Sequence, residues 1–242
     1  MSETLLNVAD VRHHSHVNGP GVRSVVWVQG CRRHCPGCIN PHAHRHQPAK
    51  LLDPEQLGRQ LAAIPDTLGL TLSGGEPLEQ AEACARLAET VRKAGKTVMV
   101  FTGFPFDEIR ACDEPAVQRF LRAIDLIVAG PYVRELKCES KLWRASSNQT
   151  VHFLHGGDLT EEDLADTPVV EVKCDGGTLS YTGFPDPEDL TWFDQVSRGL
   201  SQRSQAQKRK RPIAERRSTC WDKLVSAPGA ARGTHDGQRS SI

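Results

Sequence analysis

Between Ser24 and Ala129 four short aliphatic or β-branched runs alternate with helical patterns, and this alternation constrains the fold more than any other feature of the chain. The runs are Ser24 to Gln29 (SVVWVQ), Leu68 to Leu72 (LGLTL), Thr97 to Phe101 (TVMVF) and Leu126 to Ala129 (LIVA). Such runs read as buried strands. Asp53 and Pro54 are placed as the N-cap and first residue of a helix reaching about Ile64. From Pro77 to Ala94, Leu78, Ala81, Cys84, Ala85, Ala88 and Val91 recur at helical spacing, and Gly95 is a natural stop. A third helix is expected around Glu114 to Ala123. Strands alternating with helices in this way become parallel neighbours joined by right-handed crossovers, with the active site at their carboxyl ends. The fold class is therefore α/β, as an open parallel sheet or an incomplete β/α barrel.

After Gln149 the pattern changes. Thr150 to Leu154, Val169 to Lys173 and Leu179 to Thr182 read as further strands, and the turn Asp175-Gly176-Gly177 predicts a C-terminal β-hairpin closing the sheet edge. Charge is distributed unevenly: the chain has 30 Lys and Arg against 30 acids, but residues 201–242 carry ten basic residues and three acidic ones. Residues 1–200 are assigned to one domain, and 201–242 to a basic, disordered tail poor in apolar residues. The run Lys208 to Arg211 reads as a solvated segment rather than a nucleic-acid contact. No apolar run approaches the roughly 18 residues of a membrane span, and Met1 to Val11 lacks the order of a signal peptide, so no membrane partner and a cytoplasmic location are expected.

Three of the eight cysteines fall within eight residues, Cys31-Arg32-Arg33-His34-Cys35-Pro36-Gly37-Cys38, directly after the first strand. The others are scattered, so the pattern reads as ligation in a reducing compartment rather than a disulfide framework. Three thiolates would leave one iron of a cubane cluster open for a chelating substrate. A structural zinc site, with Cys35 and Cys38 joined by His34, His42 or Cys174, fits the spacing too. His42, His44 and His46 would share a face only if that stretch were extended, and they read as solvated loop histidines, as do His13, His14 and His16. Cys84 lies on an apolar stripe and reads as core; Cys138 and Cys174 are taken as structural.

Cys-x3-Cys-x2-Cys after the first strand, together with Ser73-Gly74-Gly75-Glu76-Pro77 after the second, resembles the radical S-adenosylmethionine superfamily. Asn18-Gly19-Pro20-Gly21-Val22-Arg23, Gln29-Gly30-Cys31, Cys35 to Asn40, Gly130-Pro131-Tyr132 and Arg144 to Gln149 narrow the likeness. Over about residues 5 to 185 the chain is similar to glycyl-radical-enzyme activases, above all the activating proteins of anaerobic ribonucleotide reductase. It departs from them at Asn18, where Asp is frequent, and in having no aromatic residue beside Cys38.

The resemblance implies an incomplete β/α barrel of the radical S-adenosylmethionine type and a 4Fe–4S cluster held by Cys31, Cys35 and Cys38. It implies S-adenosylmethionine at the open iron, flanked by Gly37, Cys38 and Ile39 and bound by Gly74, Gly75 and Glu76, with Ser146 to Gln149 on the same side. Reductive cleavage would give a 5′-deoxyadenosyl radical that takes hydrogen from a glycine of a partner, anaerobic ribonucleotide reductase above all. The electron would come from a donor such as flavodoxin or ferredoxin, and no catalytic residue is required beyond the cluster. Two alternatives stand beside this reading. One is a radical enzyme acting on a small molecule, as 7-carboxy-7-deazaguanine synthases do, or on a peptide; the other is a non-enzymatic zinc-binding module.

Overall fold

The computed structural model describes residues 4–138, 143–155, 170–175, 178–183, 185 and 187–210. The strands are β1 (Leu6–Ser15), β2 (Arg23–Val28), β3 (Lys50–Leu52), β4 (Gly69–Gly74), β5 (Thr97–Thr102), β6 (Leu126–Ala129), β7 (Thr150–Phe153), β8 (Val170–Asp175) and β9 (Thr178–Gly183). The helices are α1 (Pro54–Ala62), α2 (Ala81–Lys93), α3 (Phe106–Ala111), α4 (Pro115–Arg122) and α5 (Pro187–Lys210).

Seven strands form one sheet in the order β3-β1-β2-β4-β5-β6-β7. Its centre, β2, β4, β5 and β6, is parallel, as the alternation predicts. The sheet as a whole is mixed, because β1, β3 and β7 add antiparallel pairs at its flanks. β8 and β9 pair antiparallel in a two-stranded sheet of their own, and the edges of the large sheet are β3 and β7. The helix α5 extends through residues 201–210, while residues 211–242, the greater part of the expected tail, lie outside the described residues.

The central strands are buried along nearly their whole length, which explains their continuous apolar runs. Successive side chains point to opposite faces. Val26, Val28, Leu70, Leu72, Val98, Val100, Ile127 and Ala129 join one core cluster with Leu57 and Leu61 of α1, Cys84, Ala88 and Val91 of α2 and Phe120 of α4. Asp53 caps α1 by accepting from the Gln56 amide at 2.6 Å. Gly95, with φ of +79°, follows α2 as its predicted stop. Pro77–Gln80 instead form a 3-10 turn, so α2 begins four residues later than the periodicity predicts.

The opposite face is divided. One end is closed by Met99, Leu126, Val128 and Trp143. Arg23 is wholly buried, and its guanidinium donates to Thr71 Oγ1, Thr97 Oγ1 and the carbonyls of Pro20, Leu70 and Thr97 at 2.7–3.3 Å. Burial pulls its pKa down to about 9, with Asp125 acting in the other direction, so it remains a cation at neutral pH. Trp27, Ser73 and Phe101 face an open cavity on this same side.

Candidate functional site

Each parallel strand gives way to glycine near its carboxyl end: Gly30 beyond β2, Gly75 after β4, Gly103 after β5 and Gly130 after β6. The chain can approach itself closely at such points. Gly75 donates its amide to the Val28 carbonyl at 2.7 Å, and the Glu76 amide donates to the Gly30 carbonyl at 2.8 Å. The glycine-rich turn is therefore stitched directly to the residue before Cys31.

The cysteine loop is held from its far side as well. The Gly30 and Cys31 amides donate to the carbonyls of Ala43 and His44 at 2.8 and 3.1 Å. The Gln29 amide nitrogen Nε2 reaches the Arg45 carbonyl at 2.6 Å, and Glu79 accepts from the Arg32 amide at 2.7 Å while pairing with His46 at 2.7 Å. Cys38 closes a turn by donating its amide to the Cys35 carbonyl. Pro41–His44 form a 3-10 turn, so His42, His44 and His46 do not line up on one extended face.

Cys31, Cys35, Gly37, Cys38, Ile39, Gly74, Gly75 and Glu76 all line one cavity of about 1340 Å³. Cys31 and Glu76 are buried, Cys35 and Cys38 half-buried, and Ile39 is exposed. Burial pushes the Cys31 and Cys38 thiols up. Amides oppose that shift, those of Arg33 and His34 toward Cys31 and that of Asn40, 3.4 Å from the sulfur, toward Cys38. N–H groups aimed at sulfur stabilise thiolates and tune a bound cluster. Of the predicted Ser146 to Gln149 segment, Gln149 reaches the cavity, as does Ala145 just before it. Gln149 holds that segment by accepting from the amides of Ala145 and Ser146 and donating to the Gly130 carbonyl at 3.0 Å. Ser146 itself is buried, its hydroxyl accepting from the Val133 amide.

Glu76 does more structural work than its place in a binding turn implies. One carboxylate oxygen accepts from the Leu78 amide at 3.0 Å and the Thr102 hydroxyl at 2.8 Å; the other accepts from the Gly103 amide at 2.8 Å. These bonds tie the end of β4 to that of β5 and leave little acceptor capacity for a ligand. Burial pushes the carboxyl up to about 7 from its usual 4.5, against those hydrogen bonds and the nearby Arg33. The folded chain thus holds a proton that the unfolded chain releases, so the stability this group contributes is full below about pH 4.5 and is lost as pH rises through about 7. Across that window the thermal midpoint of the unliganded protein is expected to fall more steeply than that of Glu76→Gln. Parallel curves would contradict the assignment.

Sequence reasoning missed three further residues. Arg33 Nε, His44 Nε2 and Trp143 Nε1 are buried without a hydrogen-bond partner among the described residues, and all three residues line the cavity. Buried polar atoms are ordinarily satisfied, so a polar ligand is the natural partner for such a group. Arg33 lies 4.7 Å above the Phe104 ring and also borders a smaller cavity with Arg32, Cys35 and Tyr132. Its position inside the cysteine loop was the available signal.

The donor set suits an iron–sulfur cluster. Three thiols on one loop open onto one cavity, with amides directed at two of the sulfurs. Among the described residues no three His, Cys, Asp or Glu side chains converge closely enough to hold a single metal ion. In a cubane each cysteine binds a different iron, so close convergence on one point is not required.

Residues 17–152 match the family described as 4Fe-4S single cluster domain. The anaerobic ribonucleoside-triphosphate reductase-activating protein of Salmonella typhi is 35% identical over 157 residues, which cover 60% of this chain and 99% of that protein. The chain belongs to the anaerobic ribonucleoside-triphosphate reductase-activating protein family. The activating protein of Escherichia coli is 35% identical over 146 residues (57% of this chain, 92% of its own), and that of Haemophilus influenzae 31% over 144 residues (56% and 90%). In this activating-protein family member the matched span holds the cysteine loop, the Gly74 to Glu76 turn and the parallel strands that bring them together. Among the described residues no helix is long and apolar enough to cross a membrane.

Proposed function

We propose that the chain is a radical S-adenosylmethionine enzyme that generates a glycyl radical on anaerobic ribonucleotide reductase. The observation that carries this reading is the meeting of the cysteine loop and the Gly74 to Glu76 turn at one cavity, joined through the Glu76 amide and the Gly30 carbonyl. Cys31, Cys35 and Cys38 would hold the 4Fe–4S cluster, three thiolates for four irons. When bound, the cluster would supply the electron for reductive cleavage of S-adenosylmethionine, the source of the radical that removes hydrogen from glycine.

The chain's own residues bind, orient and shield. Gly74 and Gly75 let backbone carbonyls come close to the methionine ammonium, while Gly37 and Ile39 flank the cofactor beside Cys38. Glu76 acts by fixing that turn. Arg33, with an unpartnered Nε on the cavity, suits the cofactor carboxylate. Phe101, Trp27 and Trp143 form apolar walls that keep out water and competing hydrogen donors. The four parallel strands support an incomplete β/α barrel open towards a macromolecular substrate. The seven free cysteines among the described residues suit a reducing cytoplasm, with flavodoxin or ferredoxin as the electron donor.

The test is anaerobic reconstitution with iron and sulfide followed by reduction. The reading expects a broad visible absorption band and release of 5′-deoxyadenosine from S-adenosylmethionine. Stoichiometric zinc with no such band would overturn it.

A further inference from the structure

β8, β9 and α5 lie beyond residues 17–152, the span matched by the 4Fe-4S family, and the similar activating proteins account for 60% of the chain or less. This segment is fastened to β1 and to the loop that follows it by polar contacts. Arg12 of β1 pairs with Glu171 at 3.4 Å and donates to the Ser180 hydroxyl at 2.9 Å. Glu171 also accepts from the His16 amide at 3.0 Å, and Asn18 Nδ2 donates to the Thr182 hydroxyl at 3.0 Å. The Arg12 side chain is 9% exposed and that of Glu171 25%, so this partly buried pair is screened less than a fully exposed one.

Held there, β9 becomes a wall of the cysteine-lined cavity. A strand that presents a face contributes alternate residues, as β1 does with Asp10 and Arg12. β9 instead contributes five in succession, Leu179 to Gly183. A strand does so where a cavity runs along its backbone edge. Its other edge is taken by β8, and no described strand pairs with this one. Tyr181 stacks edge to face on Phe193 of α5, ring centroids 4.7 Å apart, which stiffens the wall.

We infer that this free edge of β9 receives the glycine-bearing segment of the partner reductase as an added, extended strand, with the Tyr181–Phe193 pair setting its depth. The inference rests on the activase reading. An open strand edge presents alternating N–H and C=O groups, the chemistry that recognises extended polypeptide. The cavity exceeds the ~300–1,000 Å³ that ordinarily encloses a small ligand, which leaves room for a peptide segment beside the cofactor. Backbone pairing also suits glycine, which offers no side chain to grip.

The experiment uses the full-length reconstituted protein and its cognate anaerobic ribonucleotide reductase. Amide hydrogen exchange at Leu179 to Gly183 is expected to slow by roughly tenfold when the reductase is added. Tyr181→Ala and Phe193→Ala are expected to raise the KM for the reductase about tenfold, while the KM for S-adenosylmethionine moves less than about twofold and Tyr181→Phe restores the wild-type value. Unchanged exchange along β9 while the wild type forms the glycyl radical would overturn the inference and leave the activase reading standing. Failure of the wild type to form any glycyl radical would instead overturn that reading.

Discussion

Cys31→Ser, Cys35→Ser and Cys38→Ser should each lower reductive S-adenosylmethionine cleavage by at least about a thousandfold, because a cluster with two thiolate ligands is neither retained nor properly poised. Their positions make the loss local. All three lie on a loop whose backbone is held independently, by Ala43, His44 and Glu76, so the chain should still fold and keep its far-ultraviolet dichroism. Cys112→Ser is the control: Cys112 follows α3, away from the cavity, and this variant should retain iron content and activity within about twofold of wild type. Iron content, visible absorption and 5′-deoxyadenosine release measure the effect. Full activity in any of the three loop variants would contradict the ligand assignment.

Gly75→Ala carries the next largest effect. A Cβ at Gly75 would lie 2.2 Å from the Gly30 carbonyl oxygen, a backbone atom with no side-chain freedom to yield. Strand β4 or the cysteine loop must therefore shift, and either movement breaks the bond from the Glu76 amide to that same oxygen. A misplacement of about 1 Å costs on the order of a hundredfold where reacting groups must meet, and a comparable loss is expected where a turn must meet its ligand. The affinity for S-adenosylmethionine should fall by about that factor, and the thermal midpoint should drop by several degrees, on the order of 1–3 kcal/mol. Gly199→Ala, with nothing within 4 Å of the added carbon, should do neither. Calorimetric binding to the reconstituted protein reads the first effect and thermal unfolding the second. Wild-type affinity in Gly75→Ala would remove this turn from the cofactor site.

The centre of the fold was legible because parallel strands covered on both sides must be apolar throughout, and SVVWV, LGLTL, TVMVF and LIVA carry that signature. The cysteine loop and the glycine turn were expected at strand ends from their residue types, and the folded chain brings both to one cavity. What escaped was less regular. β1 contains Asp10, Arg12, His13 and His14 and is interrupted by register shifts between Val8 and Asp10 and between Arg12 and Ser15, so its alternation is broken. β3 has three residues and α3 six, too few for a period to emerge. Arg23 sits inside a strand where a buried cation looks out of place until Thr71, Thr97 and three carbonyls surround it. Glu76 was readable as part of a turn at a strand end, yet two of the three hydrogen bonds its carboxylate accepts come from Thr102 and Gly103, which only the folded sheet brings near. The reach of α5 to Lys210 was hidden by a polar composition that resembles solvated chain.

The most direct test of the central claim is electron paramagnetic resonance of the reduced, reconstituted protein mixed with S-adenosylmethionine and its cognate anaerobic ribonucleotide reductase. The account predicts a glycyl-radical doublet that requires all three components and is absent with Cys38→Ser. Cleavage of S-adenosylmethionine at the full wild-type rate with no doublet on the reductase would contradict it.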